Sequence, residues 1–190
     1  MPTAVEIANM ALLECGEEPL VALSDSTERA RACNTAWPFV RRFVLGMHTW
    51  NTPTKRALLD EDATDPLWDY ATRYPLPSDC IRVLEVDTVE DWRIEARFLV
   101  TDEGGDNLGI RYIYDETDPT NFPPPLVDAL VLGLAYRIMY RLNANVAIRD
   151  RIERQWLAWV SECKALDGQE QSDPELDDEY LAVLCDMMEK

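Results

Sequence analysis

Histidine is almost missing from this chain: His48 is the only one among 190 residues. The commonest general base and neutral metal ligand is therefore confined to one position. His48 sits between Met47 and Trp50 near a helix end, and reads as a packed residue or a donor to a carbonyl. No Ser or Cys occupies a recognisable nucleophile motif. Cysteine is sparse, at positions 15, 33, 80, 163 and 185, an odd number with no paired spacing. That excludes a zinc knuckle and suits small buried apolar groups in a reducing compartment. Long hydrophobic runs are lacking as well. No stretch of about 18 apolar residues occurs, so no membrane-spanning helix is expected. The first residues have no basic region and no continuous apolar region, so no signal peptide is expected. Base is in short supply, with 18 Lys and Arg against 36 Asp and Glu, a net charge of −18. A chain this acidic repels nucleic acid and anionic membrane unless its bases are segregated.

What is present is enough to fold. The apolar fraction is 47%, ordinary for a folded chain, and the length supports one sizeable core with a smaller appended layer. The organising stretch is 25–56. Asp25 followed by Glu28 offers a capping-box start. Ala30, Cys33, Trp37, Val40, Val44 and Met47 then recur at helical spacing along about six turns. Asn51-Thr52-Pro53 ends the pattern. Pro38 lies inside it and predicts a kink near residues 34–37. Arg29, Arg31, Arg41 and Arg42 stand largely off the apolar stripe.

Taken in order, Thr3 and Glu6 form a capping box for a helix at 4–15 with Val5, Ala8, Leu12 and Cys15 inward, stopped by Gly16. The short link through Pro19 predicts that this helix and the next are antiparallel neighbours. Beyond Arg56 comes an acidic loop, then strand-like segments at 71–74, 80–87, 92–100 and 108–114. Residues 102–107 form a strong turn between the last two. Pro123-Pro124-Pro125 leads into a nearly all-apolar helix at 126–142. Asn145 is a candidate N-cap for a helix at 146–166 carrying Ile148, Ile152, Trp156, Trp159, Cys163 and Leu166, with Gly168 as its stop. The expected fold is α+β, mainly α. It is an antiparallel four-helix bundle (helices in 1–51 and 124–168) with a small antiparallel β-layer inserted at 52–118, forming one domain, 1–168.

From Asp167 to Lys190 the chain holds nine acids and one base. Leu176, Tyr180, Val183, Leu184 and Met187 recur there at helical spacing, so 169–190 reads as an acidic amphipathic arm that docks on a neighbouring subunit or partner. Reactive constellations are otherwise not legible. Asp60-Glu61-Asp62 with Asp65 and Asp69 lacks the spacing and central glycine of a calcium loop and reads as solvated acid. Gly104-Gly105 lacks a P-loop lysine. Carboxylates abound, yet nothing selects one pair for glycoside hydrolysis. No catalytic residue, metal or cofactor is assigned.

Several pieces, in order, carry a resemblance. They are Gly16 and Pro19; Asp25-Ser26-Thr27 with Ala30, Cys33 and Asn34; Leu45, His48 and Trp50 with Lys55-Arg56; and Tyr74-Pro75-Leu76-Pro77-Ser78-Asp79-Cys80-Ile81-Arg82-Val83. They continue through 97–102, Ile110-Arg111-Tyr112-Ile113, and Asp118-Pro119 past Phe122 into 126–129. In this order the chain resembles the tail tubular protein A family, the head-to-tail adaptors of short-tailed bacteriophages. The resemblance fades after Gly168. It implies a structural virion protein rather than an enzyme, made in the host cytoplasm and placed at the portal vertex between capsid and tail. Its partners would be copies of itself in a dodecameric ring, the portal protein, the tail nozzle and tail fibres, with no membrane. Double-stranded DNA would pass through without specific binding. Arg29, Arg31, Arg41 and Arg42 are then expected to pair with acids of an adjacent subunit. Two other classes stay open: a virion-associated cell-wall hydrolase, and an acidic DNA mimic that occupies a DNA-binding protein.

Overall fold

The computed structural model describes residues 2–50, 53–105, 107–142 and 145–170, with side chains of the last stretch as far as Glu162. The backbone divides into two compact units. One is helical, drawn from Met1–Thr52 and from Glu116 onward; the other is a β unit, Pro53–Asp115.

In the helical unit, helix α1 (Ala4–Glu14) begins at the capping box. The Thr3 amide donates to Glu6 Oε2 at 2.6 Å and the Glu6 amide to Thr3 Oγ1 at 3.3 Å. The helix stops where Gly16 turns to a φ of 75°, a conformation that costs other residues a Cβ clash. Helix α2 (Glu28–Met47) is capped by Thr27, whose Oγ1 accepts from the Ala30 amide at 3.2 Å. Asp25 is taken by the turn before, accepting from the Val21 and Ala22 amides. All six stripe residues expected inward are buried. Pro38 lies inside the helix without interrupting it. Beyond its end, the Trp50 indole donates to the Val44 carbonyl at 3.0 Å, answering one of the carbonyls a helix terminus leaves open.

Asp118 caps a single 3-10 turn, Pro119–Asn121, which leads into α3 (Pro124–Leu142). Asn145 Oδ1 accepts from the Ala147 amide at 3.0 Å as α4 (Val146–Glu170) starts. Helix α4 continues through Gly168, the expected stop; a helical glycine costs about 1 kcal/mol, which a long helix tolerates.

The expected four-helix bundle is not what forms. Helix α3 is the hub, and α1, α2 and α4 each pack principally against it. The cause is the apolar character of α3 around most of its circumference, with Leu126, Leu130, Leu134, Ile138 and Met139 all buried. Such a helix offers surface to three partners at once, where a bundle seam needs one narrow stripe per neighbour. At Gly133 the packing is close: a Cβ there would lie 3.1 Å from the Trp156 ring of α4 and 3.2 Å from Val40 of α2.

The single small β-layer is also corrected: the β unit holds two three-stranded antiparallel sheets. Strands β1 (Thr54–Asp60), β6 (Asn107–Tyr114) and β3 (Cys80–Val86) form one, with β6 central. Strands β2 (Thr72–Pro75), β5 (Phe98–Thr101) and β4 (Trp92–Glu95) form the other, with β5 central. The run 92–100, expected as one strand, is a hairpin turned at Ala96, which takes a φ of 53°. The segment 102–105, expected within a turn between the last two strands, joins strands of different sheets instead. It is bolted down by hydroxyls: Thr72 Oγ1 donates to the Glu103 carbonyl at 2.6 Å, and the Tyr74 hydroxyl to the Gly105 carbonyl at 3.2 Å. Strand β1 had no period-two signature because it is an edge strand with only Leu59 fully inward. Strand β3 carries register shifts at 80–82 and 83–85 that blur its alternation. Leu59, Tyr74, Leu99, Leu108, Ile110 and Tyr112 share one core between the sheets.

Candidate interaction surfaces

The four arginines of α2 do not act as one set. Arg29 Nη1 lies 3.1 Å from Glu18 and 3.9 Å from Glu17 of the same chain. Arg41 is buried, at 9% exposure. Arg31 and Arg42 are exposed. Between them Phe39 is 69% exposed, and residues 31, 35, 39 and 42 share one helical face. Of the four arginines expected at a subunit interface (29, 31, 41 and 42), Arg31 and Arg42 are the exposed ones, on either side of an aromatic ring. The arm residues Leu176, Tyr180, Val183, Leu184 and Met187 lie outside the described residues.

The loop between β1 and β2 was legible as acid but not as a surface. Leu67 is 97% exposed and Trp68 75%, amid the exposed acids Asp60, Glu61, Asp65 and Asp69. Both ends are fixed. The Asp62 amide donates to the Arg73 carbonyl at 2.9 Å, and Arg73 Nη2 pairs with Asp62 Oδ1 at 3.0 Å. At the far end the Ala71 amide donates to Asp102 Oδ1 at 3.0 Å. Backbone hydrogen bonding from Thr64, with Arg73, holds the Asp62 carboxyl below its usual range. At the tip, the Tyr70 amide donates to the Trp68 carbonyl at 3.0 Å across Asp69, whose φ is 72°. That is a left-handed γ-turn, rare and strained for any residue but glycine. The signal that points to it is Pro66-Leu67-Trp68 inside a run of acid.

Elsewhere, burial shifts several titrating groups. Burial pushes the Cys15 thiol up to about 12 and those of Cys33 and Cys80 up to about 11, so all three stay protonated at neutral pH. Burial pushes Tyr112 up to about 12, helped by the charge of Asp79. Burial raises Asp79 in turn, but hydrogen bonds and charge from Lys55, 3.0 Å away, outweigh it and hold the carboxyl low. His48 is the C-cap of α2 and stands edge-on to Trp50, ring centroids 4.6 Å apart. Trp50 stacks on Trp159 at 5.9 Å and Trp159 on Trp156 at 6.2 Å, so the histidine belongs to an aromatic column joining α2 to α4. No group of three metal-ligating side chains converges among the described residues. None of the helices among the described residues is long and apolar enough to cross a membrane.

Compared with known proteins, the chain matches no family model, and no curated protein is significantly similar to it.

Proposed function

We propose that this chain is a head-to-tail adaptor of a short-tailed bacteriophage, a structural subunit that joins copies of itself into a ring between portal and tail nozzle. The observation that carries the reading is the order of the chain. Two helices, a separate β unit, then two helices follow one another, the order in which the resembling sequence pieces fall. The net charge of −18 supports it. A channel wall that made phosphate contacts would hold DNA, whereas an acidic one lets the duplex slide. That repulsion reaches about 8 Å at physiological salt, so it acts where wall and duplex come close. The exposed pair Arg31 and Arg42 supports subunit contact within an otherwise acidic chain.

The test is particle assembly without this polypeptide. Particles should package DNA but fail to retain it, and should carry no joined tail. Particles that keep their genome and a properly attached tail would overturn the reading. Charge reversal at Arg31 and Arg42 should reduce ring formation on purified portal, read by sedimentation. Arg41 is unsuitable for that test, because reversing a buried charge costs several kcal/mol of stability and would confound the readout.

A further inference from the structure

We infer that the Leu67–Trp68 tip of one subunit seats on the outer face of α2 of a second copy, around Phe39. The inference rests on the ring reading for its choice of partner and on the two surfaces for everything else. Each surface is half of a contact. The tip presents two apolar side chains almost wholly to water, on a loop fixed at both ends and strained at Asp69. Strain kept at an exposed tip marks a feature held for use rather than for stability. A free indole and leucine at such a point cost solvation and contribute nothing to the folded chain by themselves.

The α2 face has the opposite sign and a matching apolar centre. Phe39 is mostly exposed, with Arg31 two turns before it and Arg42 one turn after. Trp68 stacked on Phe39 would leave Asp65 and Asp69 beside guanidinium groups, and indole faces also attract Arg. Copies with a net charge of −18 repel each other as they approach within a Debye length, and base placed against acid at the contact offsets that repulsion. The two halves differ, so a copy that offers its tip to one neighbour keeps its α2 face for another; such head-to-tail contacts give rings where the rotation closes and filaments where it does not. A knob of two side chains buries much less than the roughly 1,000 Å² a stable interface needs. The contact is therefore weak between free chains and gains strength when neighbours are held together.

The test is photocrosslinking with the full-length chain carrying Trp68→p-benzoylphenylalanine, alone at high concentration and on portal rings. Irradiation should join two chains, with the link mapped to residues 28–47 of the second. The reciprocal Phe39→p-benzoylphenylalanine chain should map to residues 61–71. Val89→p-benzoylphenylalanine, at another exposed site, is the background control. Arg31→Glu should lower the yield about two- to fivefold, the range for one exposed ion pair, and added Asp65→Lys should restore it. Links to any other region, to a different protein only, or at the level of the Val89 control would overturn the inference. Since the free-chain readout needs no virus particle, failure of this contact and failure of the adaptor reading in particle assembly are told apart.

Discussion

At the scale of single residues, shape decides more than polarity. Gly133 is where α3 receives both Trp156 and Val40. Gly133→Ala should destabilise the helical unit by about 1–3 kcal/mol, because rigid ring and branched side chain must both give way; urea unfolding followed by tryptophan fluorescence measures it. Ala96 is the reverse case, a side chain in left-handed backbone. Ala96→Gly should raise stability by about 0.5–1 kcal/mol, since the strain relieved exceeds the added chain entropy; the melting temperature should rise, and a fall would mean the turn is unstrained. The inward stripe of α2 could be read from spacing alone, because a 3.6-residue period fixes which side chains share a face. Arg41 could not, since spacing says which face a residue is on and not how far a neighbour extends over it. Thr27 and Asp25 both suit a cap, and the choice falls to Thr27 because upstream amides occupy the Asp25 carboxylate.

At the scale of elements, helices with one clean face were legible and short strands were not. The run 92–100 is continuous in pattern, yet it reverses at Ala96, where no glycine or asparagine announces a turn. The acidic loop was legible in charge, but nothing in its sequence says that Leu67 and Trp68 find no core. Strand β6 is legible in the sequence because it is central and inward-facing at Leu108, Ile110 and Tyr112. Its Tyr112 and the neighbouring Cys80 make this sheet sensitive to alkali. Their acidities are weakened to about 12 and about 11 in the fold, whereas an unfolded chain ionises near about 10 and 8.5. Stability from these groups is complete below the unfolded values and drains away as pH climbs through the folded ones. Urea midpoints should therefore fall from about pH 9 upward, and Tyr112→Phe should flatten that fall. A midpoint unchanged to pH 11 would contradict the burial of both groups.

At the scale of the whole molecule, charge was the most legible property and architecture the least. Composition alone says the chain is self-repelling, with twice as many acids as bases. Raising salt from about 10 mM to 0.5 M should therefore raise the melting temperature, because the Debye length shrinks from about 30 Å to a few ångströms. A chain held mainly by surface ion pairs would soften instead. That two sheets form where one layer was expected follows from pairing between distant segments, which local pattern does not report. One such pairing has a wider meaning. Strand β1 begins opposite the end of β6, Thr54 against Ile113, and the Tyr114 amide donates to the Pro53 carbonyl at 2.9 Å. The β unit thus leaves by the door through which it entered. For the helices it is a graft on a closed stem, with an entropic burden close to that of a short loop. Replacing 54–114 by a few glycines and serines should leave the helical circular dichroism signal and its melting intact, and loss of that signal would show that the graft nurses the stock. A chain closed at such a junction folds its helices with little regard to the length of what is spliced between Pro53 and Asp115.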